Sequence, residues 1–236
     1  MERSGTVDKA LRVLEVLHQA QAPLALAELS RALGMPKPTS HRLLASLLNA
    51  ALVEQQLDGR YALGVGLVRL GLGALALEPV VRAAQLELER AAHDLGETFF
   101  LVKARAGRLV VLSKVEGTGM LRVAPEVGAE VPLEVTASGR LYMAFAPQLL
   151  AGNPGASRVS AASVKRARLR GYDVNDAEWL PGLTVVAAPI LLGDELLGCV
   201  TCAGPAVRLH AARLKVAISA TCGVAERVSR SLGGKR

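Results

Sequence analysis

The chain has 236 residues, of which 51% are hydrophobic and 21% charged, a balance that excludes a disordered or low-complexity protein and leaves room for one large domain or two small ones. No apolar run approaches the roughly 18 residues of a membrane-spanning helix, and the start MERSGTVDKA lacks a signal-peptide core, so a cytoplasmic protein without membrane contact is expected. The net charge of +7 raises nucleic-acid binding, but residues 1–63 carry seven basic and six acidic side chains, and much of the surplus sits in SVKRARLR and in the last helix with its Lys235-Arg236 tail.

Thr6 fits a helix cap, with Asp8 in the first turn, and Val7, Ala10, Leu11, Leu14 and Leu17 then recur at helical spacing. After the short loop QAP a second helix is predicted over 25–33, closed by Gly34, and Pro36 opens a third over about 37–50. Two amphipathic helices joined by a tight Gly turn make a helix-turn-helix. On the third helix Leu43, Leu44, Leu47 and Leu48 form the buried stripe, and Pro38, Thr39, Arg42, Ser46 and Asn49 lie opposite, flanked by Lys37 and His41. Short hydrogen-bonding groups and two cations near a helix N-terminus suit a major groove; a merely solvated polar face explains the same pattern. The next segments favour the first alternative. Leu52–Gln56 and Arg60–Leu63 read as strands around Leu57-Asp58-Gly59, so a β-hairpin follows the three helices, giving a winged helix in which Arg60 and Tyr61 could reach phosphates or the minor groove.

Residues 64–77, GVGLVRLGLGALAL, are apolar at helical spacing, with Gly66, Gly71 and Gly73 costing helix stability but permitting close backbone approach. Beyond Pro79 the pattern alternates. A helix over 80–95 precedes the strands TFFLVKAR and RLVVLSKVE, and further strands fit LRVA and the approach to Val131-Pro132. A helix over 136–146, a loop at Gly152–Gly155 and a basic helix ending at Gly171 come next. The strands VVAAPILL and ELLGCVTCAG turn at Gly193-Asp194, and an amphipathic helix over 208–231 ends the chain. Runs of adjacent strands with interspersed helices predict an α+β domain with a mainly antiparallel sheet. Cys199 and Cys202 lie three apart on a strand and so face opposite ways, which makes them buried thiols rather than a metal pair.

The stretches VDKALRVLEVL, LAELSRALGMPKPTSHRLLASLLNAALVE and DGRYALG closely resemble the IclR family of bacterial transcription regulators, and LRVAPEVGAEVPLEVTASGR, RGYDVNDAEWLPGLTVVAAPI and LLGCVTCAGPAVRL extend the likeness through the chain. The resemblance implies a winged helix-turn-helix DNA-binding domain at 1–63, a linker and dimerisation helix at 64–78, and a GAF-like effector-binding domain at 79–236. It puts Pro36, Lys37, Thr39 and His41–Leu44 on the recognition helix. Together with the helical face and the hairpin, the expected DNA-binding set is Lys37, Pro38, Thr39, His41, Arg42, Ser46, Arg60 and Tyr61. Carried over position by position, the effector site is Met120, Val123, Val131, Ala137, Ser138, Asn175, Leu183, Val185, Thr201 and Ala203; for each, a plain core role is the alternative. The implied partners are a pseudopalindromic double-stranded operator, a small organic effector, and a second copy of the chain, with a dimer of dimers through the effector domains.

Departures from the family pattern carry information. Ala25 stands where a capping Ser or Thr is usual, and Ser40 where Val is usual. Asn175, Val185 and Ala203 replace the usual Asp, Cys and Ser, while Glu134 and Arg140 replace His and Lys; the segment between Phe145 and Gly171 is short. With Arg140 expected to face solvent, the effector is expected to be small, largely apolar and neutral or weakly polar. A vestigial pocket serving only assembly is the alternative. Both repressors and activators occur in the family, and repression is the reading adopted. An enzyme is the remote alternative: His18, His41, His93 and His210 show no metal spacing, and no GxSxG, Walker or Rossmann motif occurs, so neither a cofactor nor a metal is expected.

Overall fold

The computed structural model describes residues 5–119 and 125–234. The chain divides after Leu77 into two compact units.

The first unit runs α1 (Gly5–Ala20), α2 (Leu26–Leu33), α3 (Lys37–Asn49), β1 (Val53–Gln55), β2 (Tyr61–Leu63) and α4 (Val65–Ala76). The apolar stripes of the first three helices meet in one core of Val13, Leu17, Leu29, Leu33, Leu43, Leu44 and Leu47, capped by Val53 and Tyr61 of the hairpin. Thr6 does not cap α1; the helix already includes Gly5. Gly34 at φ 64 ends α2, a conformation that a side chain would strain. Although Ala25 has no capping oxygen, the Glu28 carboxylate accepts the Ala25 N–H at 2.7 Å, which keeps half of a capping box. The linker helix, expected as a separate segment, belongs to this unit. Gly66 N–H donates to Ala51 O at 2.8 Å, and a Cβ on Gly66 would come within 2.6 Å of that oxygen.

The second unit contains α5 (Pro79–Leu95), β3 (Thr98–Arg105), β4 (Arg108–Val115), β5 (Glu130–Val131), α6 (Ala137–Phe145), α7 (Ala161–Arg170), β6 (Asp173–Asp176), β7 (Leu183–Leu192), β8 (Glu195–Pro205) and α8 (Ala211–Gly233), with 3-10 turns at Pro147–Leu150 and Ala156–Arg158. Among the described residues, six strands form one sheet in the order β5-β4-β3-β8-β7-β6, every pairing antiparallel. This is the α+β architecture expected. The strand predicted for LRVA lies outside the described residues.

Period-two alternation sends the side chains of each strand to two separate cores. Phe99, Leu101, Val186, Val200 and Cys202 face α5 and α8, while Phe100, Val102, Val185, Cys199 and Ala203 face α6 and α7. The two cysteines therefore occupy opposite faces, as expected, and burial pushes both thiols up. Tyr142 of α6 ties the second layer to the sheet, its hydroxyl accepting Ala104 N–H at 2.9 Å.

Candidate DNA interface and effector cavity

The recognition helix is built by contrast between its two faces. Leu43, Leu44 and Leu47 are buried, and Lys37, Pro38, His41, Arg42 and Ser46 are exposed, with Thr39 half-buried between them. Ser46 Oγ donates to Arg42 O at 3.2 Å, while the Arg42 guanidinium has no partner among the described residues. The face is wider than the sequence suggested, since Thr6 and Lys9 of α1 line a groove together with Thr39, Arg42 and Ser46. Two of the expected residues are engaged within the unit itself. Tyr61 is buried, at 5% exposure, because its ring completes the core and its backbone pairs with Leu24, so most of its side chain serves packing. The Arg60 side chain turns back toward α2, bonding Glu28 at 3.1 Å and Pro23 O at 3.3 Å, with Asp58 at 3.5 Å. The wing tip presents Leu57 instead, fully exposed.

In the second unit a cavity lies between the sheet and the head of α6. Val131, Ala137, Ser138, Asn175, Val185 and Thr201 line it, together with Phe100, Thr136 and Trp179. Six of the ten expected effector residues thus converge. Leu183 and Ala203 lie on the same sheet face but are packed in the core beside the cavity, and Met120 and Val123 fall outside the described residues. Phe100 was findable from alternation, since it shares a face with Val102 and pairs with Thr201; Thr136, the α6 cap, accepts Gly139 N–H at 3.1 Å; Trp179, on a turn, gave no periodic signal. The centre of a water-sized sphere has only about 10 Å³ to move in, room for about one water.

Polar groups around the cavity are largely committed. The Asn175 side-chain NH₂ donates to Val135 O, and its oxygen accepts Trp179 N–H at 3.3 Å. Ser138 Oγ and Thr201 Oγ1 are 3.3 Å apart. Arg140 overturns the expectation of a solvent-facing side chain: it is 4% exposed, ion-paired with buried Asp173, bonded to Glu178 at 2.8 Å and to Val174 O at 3.2 Å. Burial pushes the Asp173 carboxyl up, against the opposing pull of Arg140. Glu134 likewise faces a partner, Arg158, at 3.4 Å.

A winged helix-turn-helix joined to a sheet domain with an internal cavity defines a DNA-binding transcriptional regulator. The profile of the IclR helix-turn-helix domain matches residues 6–57, and that of the bacterial transcriptional regulator IclR C-terminal domain matches residues 73–151. The chain is 32% identical over 221 residues to the probable transcriptional regulator SauR of Cupriavidus necator, covering 87% of this chain and 86% of that one. It is 23% identical to the transcriptional repressor IclR of Escherichia coli, over 98% and 91% of the two chains. The fold matches that of an IclR homolog from Microbacterium hydrocarbonoxydans complexed with 4-hydroxybenzoate, at a TM-score of 0.83 and 19% identity, covering 98% of this chain and 100% of that one. The chain belongs to the IclR family. None of the described helices is long and apolar enough to cross a membrane.

Proposed function

We propose that this protein is a cytoplasmic repressor that binds a pseudopalindromic operator as a homodimer and is controlled by a small, largely apolar effector in the cavity beneath α6. The observation that carries the DNA reading is the polar, exposed outer face of α3, with an Arg42 side chain unengaged and directed away from the core. In this reading Arg42 contacts a base edge, Lys37 a phosphate, and Pro38, Thr39, His41 and Ser46 complete the surface with Lys9 of α1 beside them. Arg60 plays a secondary part, and Tyr61 supports the wing from inside. The relative described as a repressor supports that sign of regulation, and the homolog complexed with 4-hydroxybenzoate supports the binding of a small organic ligand by this fold. Regulation, not catalysis, is the role, since Arg140 and Asn175, the strongest polar groups near the cavity, are occupied by structural partners. A dimer of dimers fits the same scheme.

The test uses DNA fragments selected by the protein from a random pool. Arg42→Ala is expected to lose about 1–3 kcal/mol and to relax preference at one position per half-site. Lys37→Ala should weaken all sequences alike and reduce the slope of log affinity against log salt by about 0.9. Parent-like binding by both variants, measured by fluorescence anisotropy, rejects this placement of α3.

A further inference from the structure

One wall of the cavity differs in kind from the others. Of the nine described residues that line it, eight stand on strands or at the head of α6, whereas Trp179 comes from the loop between β6 and β7. That loop is exposed at Ala177, Glu178, Leu180, Pro181 and Gly182. It is bracketed by left-handed backbone at Ala177 (φ 59) and Gly182 (φ 77), which is strained at the alanine. Its base is fixed, with Ala177 N–H donating to Leu183 O at 2.9 Å and Ala206 N–H to Gly182 O at 2.8 Å. Its middle is tied by the Trp179 N–H to Asn175 and by the Glu178–Arg140 pair. The Glu178 side chain is 53% exposed, so that pair is a weak restraint.

An engineered apolar cavity that accepts benzene holds about 150 Å³, far more than this space offers. Any organic ligand must therefore displace a wall. Strands and α6 cannot withdraw without breaking ladder or helix hydrogen bonds, whereas a swing of the Trp179 loop on its base costs the Trp179 N–H bond to Asn175, the Leu183 N–H bond to Leu180 O at 3.1 Å, the exposed Glu178–Arg140 pair and the packing of the indole. We infer that Trp179 is a tethered occupant of the cavity, and that a flat, uncharged organic molecule of one or two rings displaces its indole; this rests on the reading of the cavity as the effector site. Phe100, Val131 and Val185 give the vacated space apolar walls. The Ser138–Thr201 hydroxyl pair offers one polar anchor. A carboxylate would find Arg140 already matched by Asp173 and Glu178, and a buried anion without counter-charge is strongly disfavoured.

The chain contains one tryptophan, so its emission reports this loop alone. Titrating the full-length protein with benzyl alcohol should shift that emission to the red and raise its quenching by acrylamide, both saturably. In calorimetry Trp179→Ala should bind free indole about tenfold more tightly than the parent, or better, because no competing side chain reduces the open population, and indole should raise the melting temperature of that variant. Thr201→Val in the same background should weaken indole binding and so place the ligand in this cavity. Weaker binding by Trp179→Ala than by the parent, or unmoved emission at saturating ligand, overturns the inference; if that variant does not fold, the emission titration of the parent decides alone. Ring compounds that bind as described and leave operator affinity unchanged would reject the effector reading while the tethered indole stands. Operator release by a ring compound with Trp179 emission unmoved would do the reverse.

Discussion

Arg140 shows how a single residue is set by partners that sequence spacing does not reveal. As part of an N-terminal helical turn it read as solvated, yet buried Asp173 on the edge strand draws it inward, and Glu178 and Val174 O satisfy the rest of its guanidinium. Removing one member of a buried pair leaves the other unpaired, which costs about 3–5 kcal/mol. Arg140→Leu is therefore expected to destabilise the second unit by that amount at neutral pH. The sign with pH follows from Asp173, whose folded-state pKa lies above the ordinary 3.8 through burial, Arg140 opposing. An acid with a raised folded pKa binds more protons when folded, so its contribution is favourable below 3.8 and is lost as pH rises through the folded value. Without Arg140 the folded value climbs further. The variant should thus recover stability on acidification more steeply than the parent, which chemical denaturation at a series of pH values would measure. A pH-independent difference between the two proteins would show that Asp173 is not the group left unpaired. Ser40 is the converse case. It is fully buried, and its hydroxyl, like that of Ser30, has no hydrogen-bond partner among the described residues, so the substitution of Ser for the usual Val leaves a local weakness in the core of the helix-turn-helix.

At the scale of elements, α4 separates two uses of glycine. Gly66 is a packing requirement: a side chain there would meet Ala51 O at 2.6 Å. Gly71 and Gly73 have open space around the position of a Cβ, so in an isolated chain an alanine would gain about 1 kcal/mol of helix propensity. Gly66→Ala is expected to lower the melting temperature of the first unit, and Gly71→Ala to leave it unchanged or raise it, as followed by circular dichroism. Equal losses from both would mean that α4 packs differently along its whole length. The helices were legible because their apolar positions repeat at 3.6 over two or more turns, and β3, β7 and β8 because β-branched and apolar residues run unbroken between turn signals. Strand β6 was not. Asp173-Val174-Asn175-Asp176 has the composition of a turn, yet it pairs along β7 as an edge strand, with the polar side chains Asp173 and Asn175 satisfied by Arg140 and Val135 O. The cavity was legible to the same extent. Positions on strands and on α6 followed from the family pattern, while Trp179 depends on how a short loop folds back, and Tyr61 was misplaced because a Tyr at the start of a short strand reads equally as wing surface or as core.

At the scale of the whole molecule, the least resolved demand is that of α4 itself. Val65, Val68, Leu70, Leu72 and Leu77, in this helix and just after it, are each more than half exposed, and of the helix residues only Gly66 is buried. A helix that is apolar all round is stable only when something covers it, and Arg69 is its single charged residue. In the proposed homodimer a second copy of the same helix covers it, with Gly73 on the side of Leu70 leaving room for close approach. Leu70 and Leu77, seven residues apart, share one side of that helix. Replacing both with Glu places carboxylates in the proposed interface and should yield a protein that keeps its helical circular dichroism but sediments as a monomer at micromolar concentration. Operator binding then loses the benefit of two linked heads, which is worth about 10²–10⁴ in affinity, while affinity for a single half-site stays close to that of the parent. Equal loss on half-site and full operator would instead point to damage within the recognition unit, and a parent that sediments as a monomer would remove the dimer from this scheme.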